Sequence, residues 1–286
     1  DAHSPGTDTF MSIPGICRST PHVPKMSDLN AGFMSDDRWI PARQYPSIFT
    51  AAGCSDYRKI MVHWGYALSL WMRDELDVTR AYPCYPRAQD PIDLAMLRLY
   101  NAAFYWTDPW SELAYEKLQT RVSHADRIRL YARMHHDLMS VLRDQPARTF
   151  AIVHYPLPHY PYILEADGGP RAANADDWAK NSVEGYRRNL ACVDRVVGEI
   201  VDTLKSTGQY DDCMLVLTSD HSWRNDPAVP NHNDEILTHV PLIVFGPGIK
   251  PGKRAAAVTP QAIAAILARA IGMSPPAKAE APVPSG

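Results

Sequence analysis

The 286-residue chain lacks any C-x-x-C pair. Its five cysteines, Cys17, Cys54, Cys84, Cys192 and Cys213, are odd in number and widely spaced, which excludes a zinc ribbon or a thioredoxin-type motif. The count is compatible with one or two disulfides or with five buried thiols. No stretch reaches ~18 consecutive apolar residues, so no segment of this sequence is expected to span a membrane. Charge of either sign is scarce in excess: 29 Lys+Arg against 32 Asp+Glu give a formal net charge of −3. With no basic block, the chain is not expected to bind nucleic acid, which needs a clustered positive footprint. A G-x-S-x-G elbow is missing, which argues against a serine esterase, and Gly246 to Gly252 does not have dinucleotide-binding G-x-G-x-x-G spacing. No signal peptide is visible, and Asp1 stands where an initiator Met would, so processing or a cut from a longer chain is expected.

What is present organises the chain into alternating elements. The first ~50 residues, rich in Ser, Pro, Thr, Gly and Asp, read as loop with short helical turns. Arg58 to Val62 reads as a short strand, and 91–105 and 125–143 as helices. The second of these carries Ile128, Tyr131, Met134, Leu138 and Val141 or Leu142 on one face, with the adjacent His135 and His136 read as a wet face. Thr149 to His154, Met214 to Thr218 and Val240 to Phe245 are continuous apolar runs, as in buried strands. Between them, 181–207 reads as a long amphipathic helix, with Val183, Tyr186, Leu190, Val193, Val197, Ile200 and Leu204 repeating at three and four and Gly208 stopping it. A last helix is expected after Thr259-Pro260, and a Pro/Ala-rich tail from Ser274. Strands separated by helices predict an α/β, three-layer sandwich with a largely parallel central sheet.

Four constellations carry chemistry. Asp220 and His221 follow an apolar strand directly, at the sheet edge where ligands bind in open α/β folds. A carboxylate beside an imidazole suits Zn²⁺ or Mn²⁺. His154 and His159 are separated by prolines in a stiff loop that suits an anionic ligand, with His154 also readable as merely completing its strand. Thr7, Thr9 and Ser12 precede a short apolar turn. His232 lies in a polar loop and His239 at a strand entry.

In their order, these motifs strongly resemble the sulfatase-like branch of the alkaline phosphatase superfamily, which includes sulfatases, phosphonate monoester hydrolases and phosphoethanolamine transferases. The resemblance covers about Thr149 to Gly252 and rests on Asp194 to Gly198, Thr218 to His221, Phe150 to Tyr162, and Val240 to Gly248. It implies an alkaline-phosphatase-like fold over 1–273, with a helical, aromatic insertion around 64–145. It implies a hydrolase or transferase acting on a phosphate or sulfate ester through a covalent intermediate. Asp220 and His221 would be metal ligands together with Thr9, and the cofactor a divalent Zn, Mn or Ca. Thr9 falls on the nucleophile, with Ser12 second and Thr7 third. His159 would contact the phosphoryl or sulfuryl oxygens and act in catalysis. His232 would bind substrate or a second metal, while His239 reads as a strand entry.

The implied partner is an anionic small-molecule, lipid or glycan ester, with membrane contact only through segments absent from this sequence, and a periplasmic or cell-envelope location. Trp64, Trp71, Tyr82, Tyr85, Trp106 and Trp110 would line an acceptor groove or serve as ordinary core. Three departures stand out. No C-x-P-S-R motif is present, Cys17 being in the wrong frame, which disfavours a formylglycine sulfatase. Ser222 stands where the family has Gly. The family's opening strand and its carboxylate ligand have no counterpart unless Asp1 or Asp8 stands in, which motivates the alternative of a catalytically inactive binding or scaffold domain.

Overall fold

The computed structural model describes residues 2–18, 23–27, 30–35, 38–44, 47–50, 56–64, 71–82, 109–144, 148–172, 179–229, 233–253, 258 and 265–266. Its centre is a parallel sheet in the order β5-β4-β6, formed by β4 (Arg58–Trp64), β5 (Val78–Tyr82) and β6 (Thr149–His154). Side chains alternate across these strands. Met61 of β4 and Phe150 and Ile152 of β6 face one core, which they share with Ile13, Cys17, Phe33, Phe49 and Trp71. Ile60, Val62 and Trp64 of β4 and Ala151 and Val153 of β6 face a second core with Met134, Leu138 and Ile200. Packing on both faces is why β6 reads as an unbroken apolar run.

The first core is roofed by α1 (Thr9–Arg18) and by an antiparallel meander of β1 (Val23–Ser27), β2 (Asn30–Ser35) and β3 (Arg38–Pro41). Both elements lie where loop was expected. The disguise is Pro14 and Gly15 inside α1, two residues that normally break helices. The second core is roofed by α2 (Pro109–Arg143) and α3 (Val183–Ser206).

The buried stripe of α3 differs from the expected apolar one. Gly185, Asn189, Cys192, Val196, Thr203 and Leu204 are buried, whereas Leu190 is 48% exposed. Close approach explains the shift. A Cβ on Gly185 would sit 2.2 Å from Tyr162 Cδ2, and Asn189 Nδ2 donates to the carbonyl of His159 at 3.2 Å. Small and polar residues thus carry this face, and a pattern built from apolar residues passes over them. Ser182 caps the helix by accepting from Gly185 N–H.

β7 (Leu215–Thr218) and β8 (Leu242–Phe245) form a separate antiparallel ribbon, so these two expected strands do not run parallel to each other. The expected polar loop before β8 contains a short helix, α4 (Asp234–Thr238), capped by Asn233. The helix expected at 91–105, the tail, Tyr85 and Trp106 lie outside the described residues, as do the side chain of Trp110 and the helix expected after Thr259 apart from Ala265 and Ile266, which are helical. Trp71 and Tyr82 are buried in the two cores, Tyr82 donating to Asp137, so they are core rather than groove.

Cys17, Cys192 and Cys213 are free thiols, and burial pushes Cys17 up to about 12. His63 on β4 is fully buried, pairs in register with His154, and has no partner at either ring nitrogen among the described residues. Burial, then His154, lowers its pKa to about 4. The unfolded chain therefore binds more protons than the folded one between about pH 6.5 and 4, and stability falls as pH drops through that window, by about 3 kcal/mol if no other group intervenes. Urea unfolding at pH 7, 5 and 4 should show this loss, and His63→Phe should remove most of it.

Candidate active site

The loop after β6 and the turn after β7 meet above the first residue of α1. Asp8 caps that helix, its Oδ1 accepting from Met11 N–H at 2.9 Å. This places Thr9 at the positive end of the helix. The Thr9 hydroxyl donates to Asp220 Oδ2. Ser4 holds the same segment from below: its hydroxyl donates to the Asp220 carbonyl, and its Oγ lies 2.8 Å from that of Ser12. Ser12 in turn donates to the carbonyl of Gly6 at 3.0 Å.

Ser12 is therefore a buried brace. Thr7 does not line the cavity, whereas Asp8 and Thr9 do. With one oxygen committed to the cap, Asp8 is a poor stand-in for a missing metal ligand, and Asp1 lies outside the described residues.

Three histidines present themselves in the same way. His154 Nδ1 lies 3.1 Å from the Trp64 carbonyl, His221 Nδ1 2.7 Å from the Ser222 carbonyl, and His159 Nδ1 against the Tyr160 carbonyl. A carbonyl accepts only, so each Nδ1 carries the proton and each Nε2 is left for a ligand. The Nε2 atoms of His154 and His221 lie 3.8 and 3.7 Å from Asp220 Oδ2. His221 N–H donates to Asp220 Oδ1 at 3.0 Å.

Burial alone would raise the Asp220 pKa. The His154 and His221 rings beside it and the Thr9 hydroxyl overcome it and hold the carboxyl well below the usual carboxylate range. Ser222 fits the turn without a positive φ and ties it to α4, its hydroxyl donating to the Ile236 carbonyl at 2.8 Å.

These groups open on a cavity of about 470 Å³. Arg127 and Arg224 join the three histidines in its wall, against the carboxylates of Asp8 and Asp220. Trp64 is both core and cavity wall. At the side, Tyr186 and Trp223 stack at 4.3 Å and 7°, and Lys180 Nζ sits 4.9 Å from the Tyr160 ring centre.

The structure thus brings Thr9, His159, Asp220 and His221 together. His232 lies outside the described residues. His239 closes α4, 5.5 Å from the ring of His3, and does not line the cavity. The sequence leaves His154 open between an anion ligand and a strand end, and the resemblance gives it no role. Its signal was the five-residue spacing to His159 within one stiff loop. Among the described residues no three His, Cys, Asp or Glu side chains are arranged to hold an ion by themselves. The donors that are present, a partly buried carboxylate, Nε2 atoms and a hydroxyl, suit a divalent ion in type.

Solved structures share this architecture. Ps i-CgsB in complex with k-i-k-neocarrahexaose superposes with a TM-score of 0.61 at 16% identity, over 95% of this chain and 63% of that one. A 2-O GAG sulfatase gives 0.58 at 15% identity, over 98% and 63%. An alkaline phosphatase superfamily protein from Vibrio parahaemolyticus gives 0.59 at 15% identity, over 99% and 60%. The fold is therefore alkaline-phosphatase-like, the α/β class with a parallel sheet.

The Sulfatase family model matches residues 11–273, and the chain belongs to that family. Among curated proteins it is similar to the phosphopentomutase of Yersinia pestis bv. Antiqua (strain Angola), 33% identical over 96 residues, which is 34% of this chain and 22% of that protein. The phosphopentomutase of Erwinia tasmaniensis matches at 32% over the same shares. The chain spans less than a quarter of the length of these relatives and under two thirds of the structures above.

Proposed function

We propose that this chain carries the reaction centre of a metal-dependent hydrolase or transferase of phosphate or sulfate esters, working through a covalent ester on Thr9. The observation that supports it most is the Thr9 hydroxyl held on a partly buried Asp220 at a helix N-terminus, in a cavity walled by histidines and arginines. Thr9 Oγ attacks phosphorus or sulfur, and the bond to the leaving oxygen breaks in line. The Nε2 atoms of His159 and His154, when protonated, and Arg224 neutralise the nonbridging oxygens. The α1 N-terminus adds backbone N–H groups on the same side.

Water, or an acceptor hydroxyl, then attacks the Thr9 ester and frees the side chain. Asp220 aims the Thr9 hydroxyl, whose proton passes to the free Nε2 of His154 facing the same Oδ2, while the leaving oxygen takes up a proton from solvent. A divalent ion held by Asp220, His221 and Thr9 would lower the hydroxyl pKa. The Tyr186–Trp223 pair offers a flat apolar face to a sugar or aryl leaving group. A second reading, an inactive binding module, is favoured by the incomplete ligand set among the described residues. The two part on one assay. Aryl phosphate, aryl sulfate and a phosphodiester are offered with Zn²⁺, Mn²⁺ or Ca²⁺. Turnover of one of them with label trapped on Thr9 is expected, and turnover of none would sink the enzymatic reading.

A further inference from the structure

Behind the cavity wall, a second cluster lies on the opposite face of β6. His154 points toward Asp220, on the side of the sheet that α1 covers. Tyr155, the next residue, packs into the α2–α3 layer. Its hydroxyl lies 2.8 Å from Nδ1 of His135. His135 Nε2 lies 2.6 Å from Oε2 of Glu199 on α3. Arg195 holds the other oxygen of Glu199 and donates to the Tyr131 hydroxyl at 3.3 Å. The Tyr131 ring stacks on His135 at 6.1 Å. Gly168 leaves room for the guanidinium, since a Cβ there would sit 2.0 Å from Arg195 Nη2. His135 is therefore no wet-face histidine, whereas its neighbour His136 is 79% exposed.

We infer that His135 is a positioning residue for the reaction centre, carrying a hydrogen-bond chain from Glu199 to Tyr155 and thereby fixing the direction of His154. The order of the chain follows from its chemistry. The Glu199 carboxylate accepts only, so His135 carries its proton on Nε2 and offers the Nδ1 lone pair. Burial, then Tyr131 and Glu199, pushes the Tyr155 phenol far above its ordinary pKa. Tyr155 therefore stays an O–H donor and gives its proton to that lone pair. Tyr155 directly follows β6 and packs with Ala151 and Val153, on the face away from Asp220, so a Tyr155 ring pinned from α2 also pins the peptide that aims His154. Tyr155 itself lines the cavity. The chain rests on the proposed reaction only for its kinetic readout.

The test compares Tyr155→Phe, Glu199→Gln and the double variant with the wild type. Each single variant is expected to lower kcat on the ester that the wild type turns over by about tenfold, the worth of one hydrogen bond, with KM within about twofold. The double variant is expected to be no worse than either single one, because each breaks the same chain. Independently of turnover, the His154 ring resonance is expected to move in both single variants of the folded, substrate-free protein. Additive losses, an equal rise in KM with kcat unchanged, or a His154 resonance that stays in place while only His135 shifts would each overturn the inference. A wild type that turns over no ester removes the proposed activity and leaves the His154 resonance to decide the chain by itself.

Discussion

Thr9→Ala will abolish turnover, by at least ~10³-fold in kcat, while leaving the protein folded. Among the described residues, the hydroxyl is the only group at the α1 N-terminus both aimed by Asp220 and exposed to the cavity. Alanine loses the hydrogen bond to the Asp220 carboxylate, so stability should fall by about 1–2 kcal/mol with the fold kept. Thr9→Ser keeps the oxygen and should keep most of the rate. Steady-state kinetics and mass spectrometry of the trapped intermediate check both variants. An alanine variant that retains a tenth of the rate would move the nucleophile elsewhere, although the bond from Ser12 to the Gly6 carbonyl makes that serine unsuitable.

Asp220→Asn should lower turnover by ~10²–10³-fold and remove the stabilisation that a divalent ion gives. Asparagine has one accepting oxygen, which can keep the His221 N–H and so the path of the turn after β7, while its amide group then turns a donor toward the Thr9 hydroxyl. What disappears is the negative charge between two imidazoles. Adding Zn²⁺ or Mn²⁺ well above its Kd should raise the Tm of the wild type by several degrees, since about 2.7 kcal/mol accrues at a hundredfold excess. Asp220→Asn should lose that rise. Scanning calorimetry with and without chelator measures it. An equal rise in both proteins would place the ion away from Asp220.

The chemistry of the site was more legible in the sequence than its framework. Asp220, His221 and His159 stand at the ends of apolar strands, and that placement can be read from hydropathy alone. Thr9 needed the motif around it, because a hydroxyl before a helix is ordinarily only a cap. The N-terminal third was misread for a physical reason. Pro14 and Gly15 sit inside α1, and the meander that follows has few β-branched residues, so local preference pointed to loop where packing against Phe33 and Met61 decided otherwise.

His154 and His135 were undervalued for a shared reason. Each looked complete in its own element, one ending a strand and one lying on a helix surface. Their partners, Asp220 and Glu199, come from distant stretches of chain. The stripe on α3 was misplaced because Gly185 and Asn189 serve close approach and hydrogen bonding, which hydropathy does not register.

The bond from Thr9 to Asp220 joins residues 211 apart in the chain, and that from Ser4 to Asp220 residues 216 apart. A contact of such span closes one of the largest loops the molecule has, and loop closure is a toll that non-local contacts meet late in folding. The α2–α3 pair and the β4–β6 ladder are far more local. The reaction centre is thus expected to assemble after the scaffold that carries it and to come apart before it. A partly denatured population would then be mostly folded yet catalytically silent.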